Sequence, residues 1–267
     1  MKDKLRKIID EWLETKKVDG VVGLTEEKEN IKPHLFQKGD TSFIALTPKY
    51  PLASVMMLLQ EHYPEKRFGI IARECDIRAM VELHKREKKI DIERVDIIGI
   101  ACTKKEVEEC ACDFPYPHMA EVIVGEKIEI ETKNLSVDRL LNMELNERLF
   151  FWKYQFDKCM KCYGCRNACP LCICSECVLE DDLWVKGGRI PPPFPLFHLI
   201  RAVHTSGRCI GCGECEKACP MDIPLTTLYT LLRNNVKELF DYNAGIELDK
   251  EIPLLTTLDE TPMKEEG

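Results

Sequence analysis

The sequence predicts an α+β chain of two domains, an N-terminal α/β domain with a mostly parallel sheet and a C-terminal, cysteine-rich domain of helices. Three observations carry this. Apolar runs at residues 68–72 and 95–101 flank a stretch of helical periodicity at 76–88, the strand–helix–strand signature of a parallel sheet. The 15 cysteines of the 267-residue chain are uneven, four before residue 115 and eleven between 159 and 219. From residue 136 to 157 and again from 225 to 240 the apolar residues recur at helical spacing. The boundary is expected near 145, giving an α/β domain at 1–145, a helical domain at 146–247 and a polar tail at 248–267.

The first domain opens with Leu5, Ile8, Ile9, Trp12 and Leu13 on one helical face. Short apolar runs follow at 21–24 and 43–46, and Pro51 opens a helix that reaches Leu59. The helix at 76–88 turns Ile77, Met80, Val81 and Leu83 or His84 inward. Cys75 sits at its start and Cys102 just past the second strand, so both fall at the carboxyl edge of the sheet, where open α/β folds place ligands. Residues 121–124 and 127–130, joined at Gly125-Glu126, suggest a small hairpin. The basic stretch Lys85-Arg86-Glu87-Lys88-Lys89 reads as a solvated helix end, and Lys49-Tyr50-Pro51 as a candidate contact for a phosphate or flavin.

The second domain carries one cysteine spacing twice. Cys159, Cys162, Cys165 and Cys169-Pro170 repeat as Cys209, Cys212, Cys215 and Cys219-Pro220. Each is the C-x2-C-x2-C-x3-C-P run that holds a 4Fe–4S cluster, and in two-cluster ferredoxins the fourth cysteine serves the other cluster. One cluster is therefore expected on Cys159, Cys162, Cys165 and Cys219, and a second on Cys209, Cys212, Cys215 and Cys169. Gly164, Gly211 and Gly213 let the backbone approach the sulfides. Zinc would want paired C-x2-C knuckles, and an odd cysteine count without a signal peptide argues against disulfides. Forty positions separate Cys169 from Cys209, holding Pro191-Pro192-Pro193 and an amphipathic stretch at 194–203 that should pack over a cluster. With Leu228, Leu231, Leu232, Val236 and Leu239 on one helical face after Pro224, the layout is that of a helical ferredoxin.

Seven cysteines remain. Cys172, Cys174 and Cys177 continue directly from the first run, and with one of Cys102, Cys110 and Cys112 they are expected to hold a third 4Fe–4S cluster that pins the domains together. Cys75 is the weakest ligand candidate, and at a helix N-terminus it reads alternatively as a reactive thiol of lowered pKa. His204, five residues before Cys209, is most simply packed or exposed. There is no G-x-G-x-x-G, no P-loop and no nucleophile motif, so no residue is assigned to catalysis or to a flavin.

A formal charge of −8 argues against nucleic acid as a partner. No run approaches 18 apolar residues, which predicts no membrane span, and the charged start at Met1-Lys2-Asp3 lacks an apolar targeting region. Abundant thiols then point to the reducing cytoplasm of an anaerobic or microaerobic cell.

The segment Arg73-Glu74-Cys75-Asp76-Ile77-Arg78-Ala79-Met80, followed by Ile98-Gly99-Ile100-Ala101-Cys102 and by Cys110-Ala111-Cys112 with Pro115 and Pro117, resembles the beta-subunit family of deazaflavin (coenzyme F420) hydrogenases and formate dehydrogenases. The second domain resembles the helical ferredoxin domain that accompanies such subunits and the small subunit of heterodisulfide reductase. The resemblance implies a non-catalytic electron-transfer subunit of a soluble anaerobic oxidoreductase complex. Its companions would be flavoprotein, hydrogenase or formate dehydrogenase subunits, or an electron-bifurcating assembly. Because the α/β domain of that family often holds FAD, the alternative is a flavin-binding subunit that converts two-electron into one-electron transfer. A thiol-based redox sensor using Cys75 is a third reading.

Overall fold

The computed structural model describes residues 1–86, 88–110, 112–129 and 135–253. Its sheet is built from β1 (Gly20–Glu27), β2 (Asn30–Phe36), β3 (Ile44–Ala45), β4 (Phe68–Arg73), β5 (Val95–Ile100) and β6 (Val122–Val124). The order is β2-β1-β4-β5-β6, with β3 also paired to β1. β1, β4, β5 and β6 are mutually parallel, with Val22 opposite Ile70, Ile70 opposite Ile97 and Ile98 opposite Val122. β2 and β3 run antiparallel to β1. Every residue of β4 and β5 is buried, as continuous apolar strands require.

Two features differ from expectation. β2 follows β1 through Lys28-Glu29, both left-handed at φ 49° and 67°. A two-residue hairpin turn normally advertises itself as Asn-Gly or Asp-Gly, and this one does not. The hairpin expected at 121–130 is absent among its described residues. β6 instead joins the open edge of β5 in parallel, burying Val124, while 126–129 form no strand and Ile130 lies outside the described residues. Glu126, Lys127 and Glu129 leave only Ile128 of 126–129 to bury, so the apolar edge of β5 is the better partner for 122–124.

Alternation along the strands gives the sheet two apolar faces. On one, α1 (Lys2–Glu14) lays Leu5, Ile9 and Trp12 over Val21, Ile71, Ile98 and Ile100. On the other, α2 (Leu52–His62) and α3 (Glu74–Lys85) cover Ile70, Ala72 and Ile97. α4 (Lys104–Cys110) follows β5.

The C-terminal part contains α5 (Leu135–Leu141), α6 (Leu145–Asp157), α7 (Gly164–Asn167), α8 (Leu196–Ser206), α9 (Glu214–Lys217) and α10 (Leu225–Phe240). Phe156, Phe197, Ile223 and Tyr229 form its own core, with the His198 ring stacked on Phe156 at 4.0 Å. No helix of the described residues is long and apolar enough to cross a membrane.

α3 joins the two parts. The core around Ile77 and Met80 continues into Leu171, Ile210, Val236 and Tyr242. A buried charged stripe, Arg78 and Glu82 on α3 and Arg86 just past its end, is satisfied mainly by the C-terminal part. Arg78 donates to the carbonyls of Ile210 (3.1 Å) and Ala244 (2.7 and 2.9 Å), Glu82 accepts from Gly245 N (2.7 Å) and from Tyr242 Oη, and Arg86 donates to Gly207 O (3.0 Å). Arg86 is thus buried rather than part of a solvated helix end. Its charge is paired with Glu82 one turn back, and its guanidinium caps a carbonyl that would otherwise be buried.

Candidate functional site

The two cysteine runs fold alike. In the first, α6 ends just before Cys159, whose N donates to Phe156 O (3.0 Å). In the second, α8 ends just before Cys209, whose N donates to Thr205 O (2.8 Å). Each loop then holds two residues left-handed, Lys161 and Tyr163 (φ 54° and 58°) in one, Gly211 and Gly213 (φ 71° and 79°) in the other. This turns backbone N–H groups onto sulfur. Lys161 N and Gly164 N donate to Cys159 Sγ and Cys162 Sγ, both at 3.5 Å, and Gly211 N and Glu214 N do the same for Cys209 and Cys212. A one-turn helix carries each chain to its fourth cysteine, α7 to Cys169 and α9 to Cys219.

α7 packs against the segment after α9, where a Cβ on Gly164 would lie 2.7 Å from Ala218 O. This close approach crosses the runs. Cys159 is flanked by Cys162, Cys165 and Cys219, and burial together with those neighbours pushes its thiol up. Cys169 lies with Cys209, Cys212 and Cys215 around a cavity of about 290 Å³.

That cavity has walls suited to an anion. Arg201 of α8 lines it with Nε and Nη1 buried and without a partner, while its Nη2 donates to Cys165 O. Arg233 Nε and Tyr229 Oη of α10 are likewise buried and unpartnered. Cys169 is held down at about 6 by a hydrogen bond from the Cys172 thiol and by the Arg201 guanidinium, against burial. Buried donors without acceptors beside four thiols fit a thiolate-bound, negatively charged cluster. Arg201 lies on the amphipathic stretch expected to pack over a cluster, but nothing in the sequence distinguished it or Arg233 from surface arginines.

The remaining cysteines fall into two groups. Cys172, Cys174 and Cys177 line a cavity of about 320 Å³ with Arg166, His204 and Arg208. Burial, then Arg208, pulls the His204 pKa down. Cys102, Cys110 and Cys112 line a different cavity of about 450 Å³, and Cys75 lines it with them. The structure therefore does not bring Cys172, Cys174 and Cys177 together with Cys102, Cys110 or Cys112. Burial and then Asp76 push the Cys75 thiol well up, opposite in direction to the lowered pKa expected at a helix N-terminus. Lys49 Nζ donates to Cys212 O (2.6 Å) and sits 3.4 Å from Glu214 and 3.6 Å from Cys110 Sγ.

Comparison with known proteins agrees with this chemistry. A family model described as a 4Fe-4S binding domain matches residues 202–224, the second run. The chain is 44% identical over 108 residues to the F420-dependent formate dehydrogenase subunit beta of Methanocaldococcus jannaschii, covering 40% of this chain and 28% of that protein. It is 40% identical over 96 residues to the F420-dependent formate dehydrogenase 1 subunit beta of Methanococcus maripaludis, covering 36% of this chain and 24% of that protein. The chain thus spans about a quarter of the length of these relatives. It carries a 4Fe–4S binding domain and is similar over part of its length to formate dehydrogenase beta subunits.

Proposed function

We propose that this chain is an iron–sulfur electron-transfer subunit of a formate dehydrogenase-type complex. One 4Fe–4S cluster is held by Cys159, Cys162, Cys165 and Cys219, and a second by Cys209, Cys212, Cys215 and Cys169. The observation that carries this is the crossing of the two runs through Gly164 and Ala218, which sets the fourth cysteine of each beside the first three of the other. Such clusters, when bound, take up and release single electrons. The chain supplies N–H donors to the sulfurs and the Arg201 and Arg233 guanidiniums against the negative charge.

The partner follows from the relatives' names: a formate-oxidising subunit would deliver the electrons. Hydrogenase- or heterodisulfide-reductase-like companions rest on the resemblance of the motifs alone. In the anaerobically purified chain, two coupled paramagnetic centres should appear on reduction with dithionite and none with formate. Formate should reduce them in the native complex. Oxidation of formate by the chain alone would end the reading of a non-catalytic wire.

An FAD-holding α/β domain is the second reading, favoured by the cavity of about 450 Å³ at the carboxyl edge of the sheet, with Lys49 and Arg73 on its wall. About one flavin per chain released on denaturing the gently purified complex would support it. A complex without flavin would dismiss it.

A further inference from the structure

α6 carries an apolar seam, Leu145, Leu149, Trp152 and Phe156, that runs on beyond the core it packs against. Phe156 is buried and Trp152 lies against it at 5.4 Å between ring centres, whereas Leu145 and Leu149 are 75% and 55% exposed. Phe150 and Tyr154 of the same helix are 75% and 68% exposed, with Leu141 of α5 before them and Met160 after. Single exposed apolar residues are ordinary on a protein surface, but four large ones in three turns of one helix mark a place where another surface sits.

Basic side chains edge the end of this surface nearest the first cysteine run. Lys158 holds its ammonium 5.8 Å from the centre of the Tyr154 ring and donates to Asp222 O (3.4 Å), three residues past Cys219. Lys153 pairs with Asp157 (2.7 Å), and Lys161 Nζ donates to Lys186 O (2.7 Å), which brings a further lysine alongside. Residues 148–166 hold five basic side chains against Asp157 alone, in a chain of net charge −8. Cys162 of the first run is exposed just beyond Met160.

We propose that this surface docks a separate electron-carrier protein whose apolar patch is ringed by acidic side chains, and that single electrons pass there between the carrier and the first cluster. Opposite charges steer such an encounter and fix its orientation. The exposed stretch at 145–154 is about 15 Å long, short of the ~800 Å² that a stable complex takes from each partner and sized for the briefer contact of electron-transfer proteins. A second copy of the chain is the poorer occupant, because a two-fold contact would set the lysine rims face to face. Each transfer oxidises one centre and reduces the other by one electron, with no bond made or broken. That electron route rests on the two-cluster reading above; the docking surface does not.

The probe is a purified acidic 4Fe–4S ferredoxin, titrated calorimetrically into the full-length chain purified without oxygen, at about 50 mM and about 500 mM salt. Affinity should fall at least ~10-fold at the higher salt, and by ~10-fold or more in Phe150→Ser and in Lys158→Glu. Lys7→Glu, the same charge change on the exposed side of α1, should leave it unchanged. Electron transfer from the dithionite-reduced chain to the ferredoxin should slow in the same two variants, and transfer to a small neutral quinone should not. No binding, equal binding by all the variants, or an equal loss from Lys7→Glu overturns the surface. So does a dimer of the chain that Phe150→Ser dissociates. Iron content keeps the two claims apart: fewer than about eight irons per chain fails the two-cluster reading, and binding decides the docking surface in either case.

Discussion

The two cysteine runs follow the same backbone path with different residues at the strained points, and the difference records what covers each loop. Lys161 and Tyr163 occupy the left-handed positions of the first run, Gly211 and Gly213 those of the second. A left-handed residue other than glycine costs about 1 kcal/mol. The first run tolerates this because its loop faces solvent, with Cys162 exposed and Lys161 Nζ donating to the exposed Lys186 O. The second is enclosed: a Cβ at Gly211 would sit 2.0 Å from Arg233 Nη1, and Ile210 beside it is buried against α3. Loop shape is thus common to both, while residue identity follows the surroundings. The first run is the outer one and the second the inner, lying between the α/β core and the first.

The largest effect that would break this contrast is at Gly211. Gly211→Ala forces a Cβ into Arg233 at a left-handed φ, so the variant should lose about four irons per chain and at least ~10-fold in electron transfer. Lys161→Ala, at the matching point, should keep its iron. Equal losses from both would erase the distinction.

Arg78→Ala should lower stability by about 3 kcal/mol, read as a shift in urea midpoint, because it leaves the buried carbonyls of Ile210 and Ala244 without their donor. The outer counterpart is Arg166→Ala, which breaks a part-exposed ion pair with Glu180 and should cost less than ~1 kcal/mol.

The outer run should also be the acid-sensitive one. Burial, with Arg201 second, holds His198 at about 4, below the 6.5 of a free histidine. Unfolding therefore takes up a proton, and stability is lost as pH falls from 6.5 toward 4. Between pH 7 and 5.5 the loss should be roughly 1 kcal/mol, and His198→Phe, stacked on Phe156 in the same way, should abolish it in denaturation curves at the two pH values.

Lys161→Gly should show the smallest effect, a gain of about 0.5 kcal/mol in the denaturation midpoint as the left-handed strain is relieved. A loss instead would mean that Lys161 does more than its surface contact suggests.

Much of the fold was legible because periodicity reports burial directly. The helix at 225–240, the parallel pair at 68–72 and 95–101 and the placement of Cys75 and Cys102 at the carboxyl edge all follow from patterns within the chain. β2 was not, since its turn uses Lys28-Glu29 and its strand carries Pro33 and His34. Nor was the stripe Arg78, Glu82 and Arg86, because charges at helical spacing look alike whether they meet water or the carbonyls of another segment. Nor, for a related reason, was it legible which cavity each spare cysteine lines. Cys172, Cys174 and Cys177 are near the first run in sequence, yet they line a cavity that Cys102, Cys110 and Cys112 do not reach.

The sequence by itself determined that there would be two ferredoxin runs with matching loops, since spacing and proline placement are local and the loop follows from them. It also determined the parallel α/β character of the first part, through the length and continuity of its apolar runs. Only the tertiary structure decided which thiols share a cavity. That depends on α7 crossing the segment after α9, on α4 folding back over α3, and on Lys49 reaching across to Cys212. Ligand sets drawn from three or more segments are properties of chain packing, and neighbours in space need have no signature in the order of the residues.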